Sequence, residues 1–383
     1  MIAVYLDYNA TAPVGPEVQR AIADVLAQVH GNPSSTHAFG AAARAVLARA
    51  RKQVAASVGV APETIVFTSG ATEANNTVLR HAARAAPGPD VHVVTCATEH
   101  PAVLEEARSL AADGCRVTVL PVERDGRLDA DRFAAALTPG TRLASVMWAN
   151  NETGVIQPIA ELARRAAAQG VPFHTDAVQA LGKLPLALSS LQVDYASFSA
   201  HKLGGPKGVG ALYVRQGVEL ASLLRGGSQE KGRRPGTENV PGIVGFGAAC
   251  ERAQGELERA HARHARLRER LWDGIREALP DAVRNGAREH SLAHTLNVSF
   301  AGVSGEALVE ALDLEGIAVA TGAACHAGST EPSHVLSAMG LPRELGASAI
   351  RFSLGPGIDD AAIARVLDVL PSVVARVRKA GAA

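Results

Sequence analysis

Short apolar runs alternate with Ala- and Leu-rich segments over the first two-thirds of the chain, and this alternation limits the fold more than any other feature. The runs fall at 65–68, 91–96, 116–120, 143–148, 171–175, 193–198 and 209–214. Segments such as 101–112 and 159–169 lie between them and keep helical periodicity. Near-continuous apolar strands separated by helices predict an α/β fold with a seven-stranded, mostly parallel sheet covered on both faces. Ligands of such sheets bind beyond the carboxyl ends of the strands.

The pattern changes after a long helical stretch at 244–279, dense in Arg, Glu and Ala. Beyond it, 294–300, 317–320 and 348–354 read as strands, and 305–315 and 359–379 as helices. These predict a smaller α+β unit. A chain of 383 residues exceeds one compact core. The expected division is a large domain at 14–255 and a small one built from 1–13 and 256–383.

Charge and composition exclude several classes. Lys+Arg and Asp+Glu are both 38, so neither nucleic acid nor an anionic membrane is expected as a partner. No apolar run approaches membrane-spanning length. The first residues, Met1-Ile2-Ala3-Val4-Tyr5, lack the basic head of a cleaved signal. Cys96, Cys115, Cys250 and Cys325 show no metal-binding spacing, so no metal is expected and a cytoplasmic, reducing location is.

Lys202 closes the run Ser199-Ala200-His201-Lys202 directly after an apolar strand and before Gly204-Gly205-Pro206-Lys207-Gly208. A lone lysine is ordinarily a solvated surface residue. These flanks favour a pocket, where an amine suits imine formation and glycines let backbone approach a ligand. Asp176 ends the preceding strand and Gln179 follows three residues on. That carboxylate serves equally as a helix cap or as the partner of a pyridine nitrogen. An acid after one strand and a lysine after the next are what an enzyme needs to hold pyridoxal 5'-phosphate (PLP). Strand 65–68, the Ser69-Gly70 turn and a helix opening at Ala71-Thr72 make either an ordinary capped helix or a phosphate site. His100, after strand 91–96, is a helix-start residue or a ring-stacking proton shuttle. Cys325 has only small or polar neighbours, Ala323-Ala324-Cys325-His326-Ala327, and reads as an accessible thiol.

Taken in order, these motifs resemble the cysteine desulfurase/selenocysteine lyase family of fold-type I PLP enzymes, related to class V aminotransferases. Further stretches carry the resemblance: Leu6-Asp7-Tyr8-Asn9-Ala10-Thr11, Gly31-Asn32-Pro33-Ser34-Ser35-Thr36-His37, Asn150-Asn151-Glu152-Thr153-Gly154, Gly236-Thr237-Glu238-Asn239-Val240 and Glu331-Pro332-Ser333-His334. The resemblance implies Lys202 as the Schiff-base lysine, Asp176 as the pyridine partner and His100 stacked on the ring. It implies cofactor contacts from Asn151 and Gln179, and phosphate contacts from Ala71, Thr72, Ser199 and His201. Thr237 is implied to add a phosphate contact from the second subunit of a homodimer. Arg351, helped by Asn32, is implied to clamp the substrate carboxylate, and Cys325 to accept sulfur from L-cysteine. A scaffold or carrier protein, as in iron–sulfur cluster assembly, is implied to receive that sulfur.

The residues around Cys325 depart from the desulfurase habit toward that of selenocysteine lyases, whereas the spacing to Glu331-Pro332-Ser333-His334 follows long-loop desulfurases. L-selenocysteine therefore stands as the alternative substrate. An aminotransferase or kynureninase-like hydrolase would need Lys202 and Asp176 but not Cys325. A non-enzymatic scaffold would need none of them.

Overall fold

The computed structural model describes residues 4–84, 90–321 and 333–381. It opens with β1 (Val4–Tyr5), α1 (Pro16–Gln28) and α2 (Ala38–Ser57). Strands and helices then alternate: β2 (Ile65–Thr68), α3 (Ala71–Ala83), β3 (His92–Cys96), α4 (Pro101–Ala112), β4 (Arg116–Leu120), α5 (Ala130–Ala136) and β5 (Thr141–Ser145). They continue with α6 (Ile159–Ala168), β6 (Phe173–Asp176), β7 (Tyr195–Ser199) and β8 (Gly210–Val214). A 39-residue helix, α7 (Val240–Ala278), leads to β9 (Val283–Asn285), β10 (Thr295–Ser299), α8 (Gly305–Leu314) and β11 (Ile317–Ala318). The chain closes with α9 (His334–Ala338), α10 (Arg343–Ala347), β12 (Ala349–Ser353) and α11 (Asp360–Gly381).

Among the described residues the main sheet has seven strands in the order β2-β8-β7-β6-β5-β3-β4. Only β8 runs against its neighbours, so the sheet is mostly parallel, as the apolar runs predict. Strands β6 and β7 are buried along their whole length, which is why they read as continuous rather than alternating apolar runs. On one face Val94, Phe173, Ala196 and Phe198 pack with side chains of α1, α2 and α7. On the other, Val66, Val93, Leu143 and Leu212 pack with side chains of α3 and α4. Each fully buried Phe or Leu in these layers contributes roughly 1.5–3 kcal/mol.

A separate core draws on both ends of the chain. Leu6 and Tyr8 pack with Leu271, Phe300, Phe352 and Val373. Here β12, β10 and β9 form an antiparallel sheet, and β1 runs parallel to β11.

Strand β5 ends at Ser145, three residues before the apolar run does. Past it the backbone leaves the ladder for the neighbouring side chains: Met147 N donates to the Glu99 carboxylate, and Trp148 N to Asp176 O at 2.8 Å. Helix α7 starts at Val240 rather than 244, because the Asn239 side chain accepts from Gly242 N at 3.1 Å and caps it. The carboxyl ends of β2, β3, β6 and β7 converge on one crevice. A tight 3-10 turn, Ala200–Leu203, follows β7 and is stopped by Gly204, whose φ of 80° suits glycine. Gly210 is needed for contact: a Cβ there would meet Gly70 Cα at 2.8 Å, beside the start of α3.

Candidate active site

The crevice is a cavity of about 640 Å³. Its wall brings together Ala71, Thr72, His100, Asn151, Asp176, Gln179, Ser199, His201, Lys202 and Arg351, residues the sequence disperses over 280 positions (351 − 71). Two expected members lie elsewhere. Asn32 is exposed, outside this wall, and its Oδ1 accepts from Ser34 N at 2.8 Å, a local turn contact. Thr237 is exposed in the stretch before α7 and does not line the cavity of its own chain. Cys325 lies outside the described residues.

Asp176 sits at the end of β6, 5% exposed. Asn75 Nδ2 donates to its Oδ2 at 2.7 Å, and Val178 N to its Oδ1 at 3.0 Å. Asn75 lies on α3 three residues after Thr72, so one helix turn reaches both the cavity and the acid. The start of α3 has Gly70 in extended geometry and no side-chain cap. Its backbone N–H groups therefore form a donor set for an anion, with the Thr72 and Ser199 hydroxyls on the same wall.

Lys202 Nζ donates to Asn9 O at 2.7 Å and to Ala10 O at 2.9 Å. Gln179 Nε2 donates to the same Asn9 carbonyl at 3.1 Å, and its Oε1 accepts from Lys183 Nζ at 2.5 Å. His201 Nδ1 lies 3.2 Å from Thr11 Oγ1. Burial, then the neighbouring Lys202 and Lys207 ammoniums, push the His201 imidazole down to about 4. His100 caps α4, its Nδ1 accepting from Ala102 N at 3.1 Å. Burial lowers its pKa; Asp176 pulls the other way, and Lys202 and His334 add to the lowering. The imidazole is thus a neutral ring suited to stacking.

Behind this wall the Glu99 carboxyl is fully buried. Burial, then the Asp176 charge, raises its pKa well above the usual carboxylate range. Arg351, on β12, donates from Nη2 to Asp7 Oδ1 at 2.6 Å and from Nη1 to Asn151 O at 3.0 Å. Its buried Nε has no hydrogen-bond partner among the described residues. The guanidinium is therefore tethered with donor capacity left toward the cavity.

This donor set fits PLP. It offers an acid at one end, an uncapped helix with hydroxyls for a phosphate at the other, an amine between them and a neutral ring on the wall. Sequence reasoning assigned no role to Asn75, Asp7 or Asn9. Only their pairings across the chain reveal them; the one local signal was the three-residue spacing from Thr72 to Asn75.

An Aminotransferase class-V family model matches residues 4–366. A cysteine desulfurase of Trichormus azollae is 46% identical over 378 residues, covering 99% of this chain and 94% of its own. The cysteine desulfurase IscS of Dictyoglomus turgidum is 44% identical over 375 residues, covering 98% and 95%. A solved NifS-like protein superposes with a TM-score of 0.92 at 38% identity, covering 98% of this chain and 100% of that one. These relatives do not favour a selenocysteine lyase.

Proposed function

The chain belongs to the aminotransferase class-V family and, within it, to the cysteine desulfurases; from that premise we propose how its own residues take sulfur from L-cysteine and release L-alanine. The observation that carries the reading is the meeting of Lys202, Asp176, His100 and Arg351 on one cavity wall.

The bound PLP supplies an electron sink that allows the substrate Cα proton to leave. Asp176, fixed by Asn75 and Val178 N, presents a carboxylate to the pyridine nitrogen. The start of α3 with Thr72, Ser199 and His201 holds the phosphate, and Asn151 and Gln179 make further cofactor contacts. Arg351 receives the substrate carboxylate, sharing its guanidinium with Asp7. Lys202 Nζ holds the cofactor in the resting site and then takes the Cα proton. The Cys325 thiolate attacks the substrate sulfur, so an S–S bond forms as the C–S bond breaks. The electron pair stays with carbon: Cβ takes one proton, and the proton held on Lys202 returns to Cα, which completes alanine. The persulfide on Cys325 passes to a protein acceptor, a scaffold or carrier of the kind used in iron–sulfur cluster assembly.

The working unit is a homodimer in which exposed Thr237 reaches the phosphate of the partner's cofactor. A reducing, cytoplasmic setting is supported by Cys96, Cys115 and Cys250, which are buried free thiols.

The test is alanine release from L-cysteine and from L-selenocysteine, with and without Cys325→Ala. Persulfide on the wild-type chain, and loss of cysteine turnover in the variant, are expected. Undiminished turnover without Cys325 would return the chain to aminotransferase-like chemistry.

A further inference from the structure

Asn9 is 1% exposed, and every polar group it carries is engaged. Its N–H donates to Ser353 Oγ at 3.0 Å, on β12. Its Nδ2 donates to Asn151 O at 3.0 Å and to Thr295 Oγ1 at 2.9 Å, on β10. Its Oδ1 lies 2.9 Å from Nε2 of His294, the residue before β10. Asn151 O is a carbonyl and can only accept, which fixes Nδ2 on that side. Oδ1 is then the acceptor, and His294 donates from Nε2.

The remaining group, the Asn9 carbonyl, serves the lysine 193 positions away. Lys202 Nζ donates to it at 2.7 Å and to Ala10 O at 2.9 Å. A neutral amine has two N–H bonds, and these two carbonyls accept both, which fixes the direction of its lone pair. The ammonium gains from the same oxygens, because hydrogen bonds to the charged form favour it. One pair of acceptors thus aims the amine before proton transfer and holds the ammonium after it. Asn151 O is shared as well, since Arg351 Nη1 also donates to it at 3.0 Å. The base and the substrate clamp therefore both depend on where Asn9 sits.

We infer that Asn9 is a positioning residue for Lys202, and that His294, outside the wall of the catalytic cavity, sets the Asn9 carbonyl through the Asn9 amide. The inference rests on Lys202 as the cofactor lysine. It adds that the aim of this lysine is decided from β10 and β12, by side chains distant from it in the chain.

The test starts from the full chain freed of cofactor. Added PLP is followed by absorbance as it bonds to Lys202, and borohydride reduction with peptide mapping locates the adduct. His294→Leu keeps bulk and removes the donor. It should slow this bonding by about tenfold and lower kcat for L-cysteine by a similar factor, with a smaller change in KM, as the loss of one buried hydrogen bond predicts. His294→Gln supplies an amide donor at similar reach and should recover most of both. Phe300→Leu, in the core shared by β10 and β12, should lower Tm and leave the bonding rate as in the wild type. Where melting curves show His294→Leu unfolded, Thr295→Val removes the Nδ2 acceptor instead, with the same expected slowing, and Thr295→Ser restores it.

Bonding and kcat unchanged in His294→Leu would overturn the inference. So would equal losses in His294→Leu and His294→Gln, or a slowing in Phe300→Leu that follows its fall in Tm, because a purely structural residue gives either. A wild-type chain with no adduct at position 202 removes the reading of Lys202 itself, and the inference with it. That failure shows before any variant is made, so the two are told apart.

Discussion

Arg351 Nη2 donates to Asp7 Oδ1 at 2.6 Å, joining a residue of the last strand to the turn after the first. The Arg351 side chain is 3% exposed, so this is a largely buried pair, and the arginine's other terminal nitrogen holds Asn151 O. Asp7 positions the arginine; in the proposed mechanism an incoming carboxylate shares it.

Arg351→Lys should therefore raise KM for L-cysteine by tenfold or more, roughly 1–3 kcal/mol, with a smaller change in kcat, because a lysine cannot form the planar two-point contact. Steady-state alanine release measures the split. Asp7→Asn should lower thermal stability, since it leaves Arg351 buried with weaker compensation.

Asn75 supplies the side-chain donor to Asp176. Asn75→Leu should cost about 1–3 kcal/mol of local stabilisation and weaken cofactor retention by about tenfold or more. Dialysis of the loaded enzyme followed by absorbance of the retained cofactor reads this directly. Unchanged retention would show that Val178 N alone holds the acid in place.

His174 lies fully buried between Ser145 Oγ at 2.8 Å and Ser197 Oγ at 2.9 Å, and burial brings its pKa down to about 3. Between that value and the ordinary 6.5 the unfolded chain binds more protons than the folded one. Stability is therefore complete above 6.5 and falls as the pH drops, by about 1.4 kcal/mol per pH unit for this group. His174→Asn should flatten the acid limb of the urea-unfolding free energy against pH, even where it lowers the plateau.

Glu99 gives the opposite slope. Its raised pKa means the folded chain binds more protons than the unfolded one above the ordinary carboxylate value, so stability falls as pH rises through that window. Glu99→Gln keeps an acceptor for Met147 N. Its stability relative to wild type should grow from pH 5 to pH 8, measured by the same unfolding series.

Ser333 caps α9, accepting from Val335 N at 3.1 Å and Leu336 N at 3.3 Å, and it donates to the buried Glu152 carboxylate. Ser333→Ala should cost about 1–2 kcal/mol, or a few degrees in Tm.

The strands of the main sheet were legible because burial on both faces demands uninterrupted apolar residues, as in Phe173 and Phe198. The site was legible where small residues follow such strands, as at Ser199 to Lys202. What stayed hidden was pairing at a distance. Nothing near Asp7 announces Arg351, and nothing near Asp176 announces Asn75. At Asn32 the motif is clear, and the side chain accepts a hydrogen bond within its own turn. Local patterns report backbone geometry and burial, whereas partners 344 positions apart (351 − 7) are chosen by the fold.

The core that joins Leu6 and Tyr8 to Phe352 and Val373 has a consequence for the order of assembly. On the ribosome, the lysine and the acid of the crevice emerge well before the arginine. The central sheet can close over them while Asp7 still waits for its cation. In the proposed mechanism a chain whose final strand has not docked lacks Arg351 to receive an amino-acid carboxylate, so sulfur transfer waits on that strand.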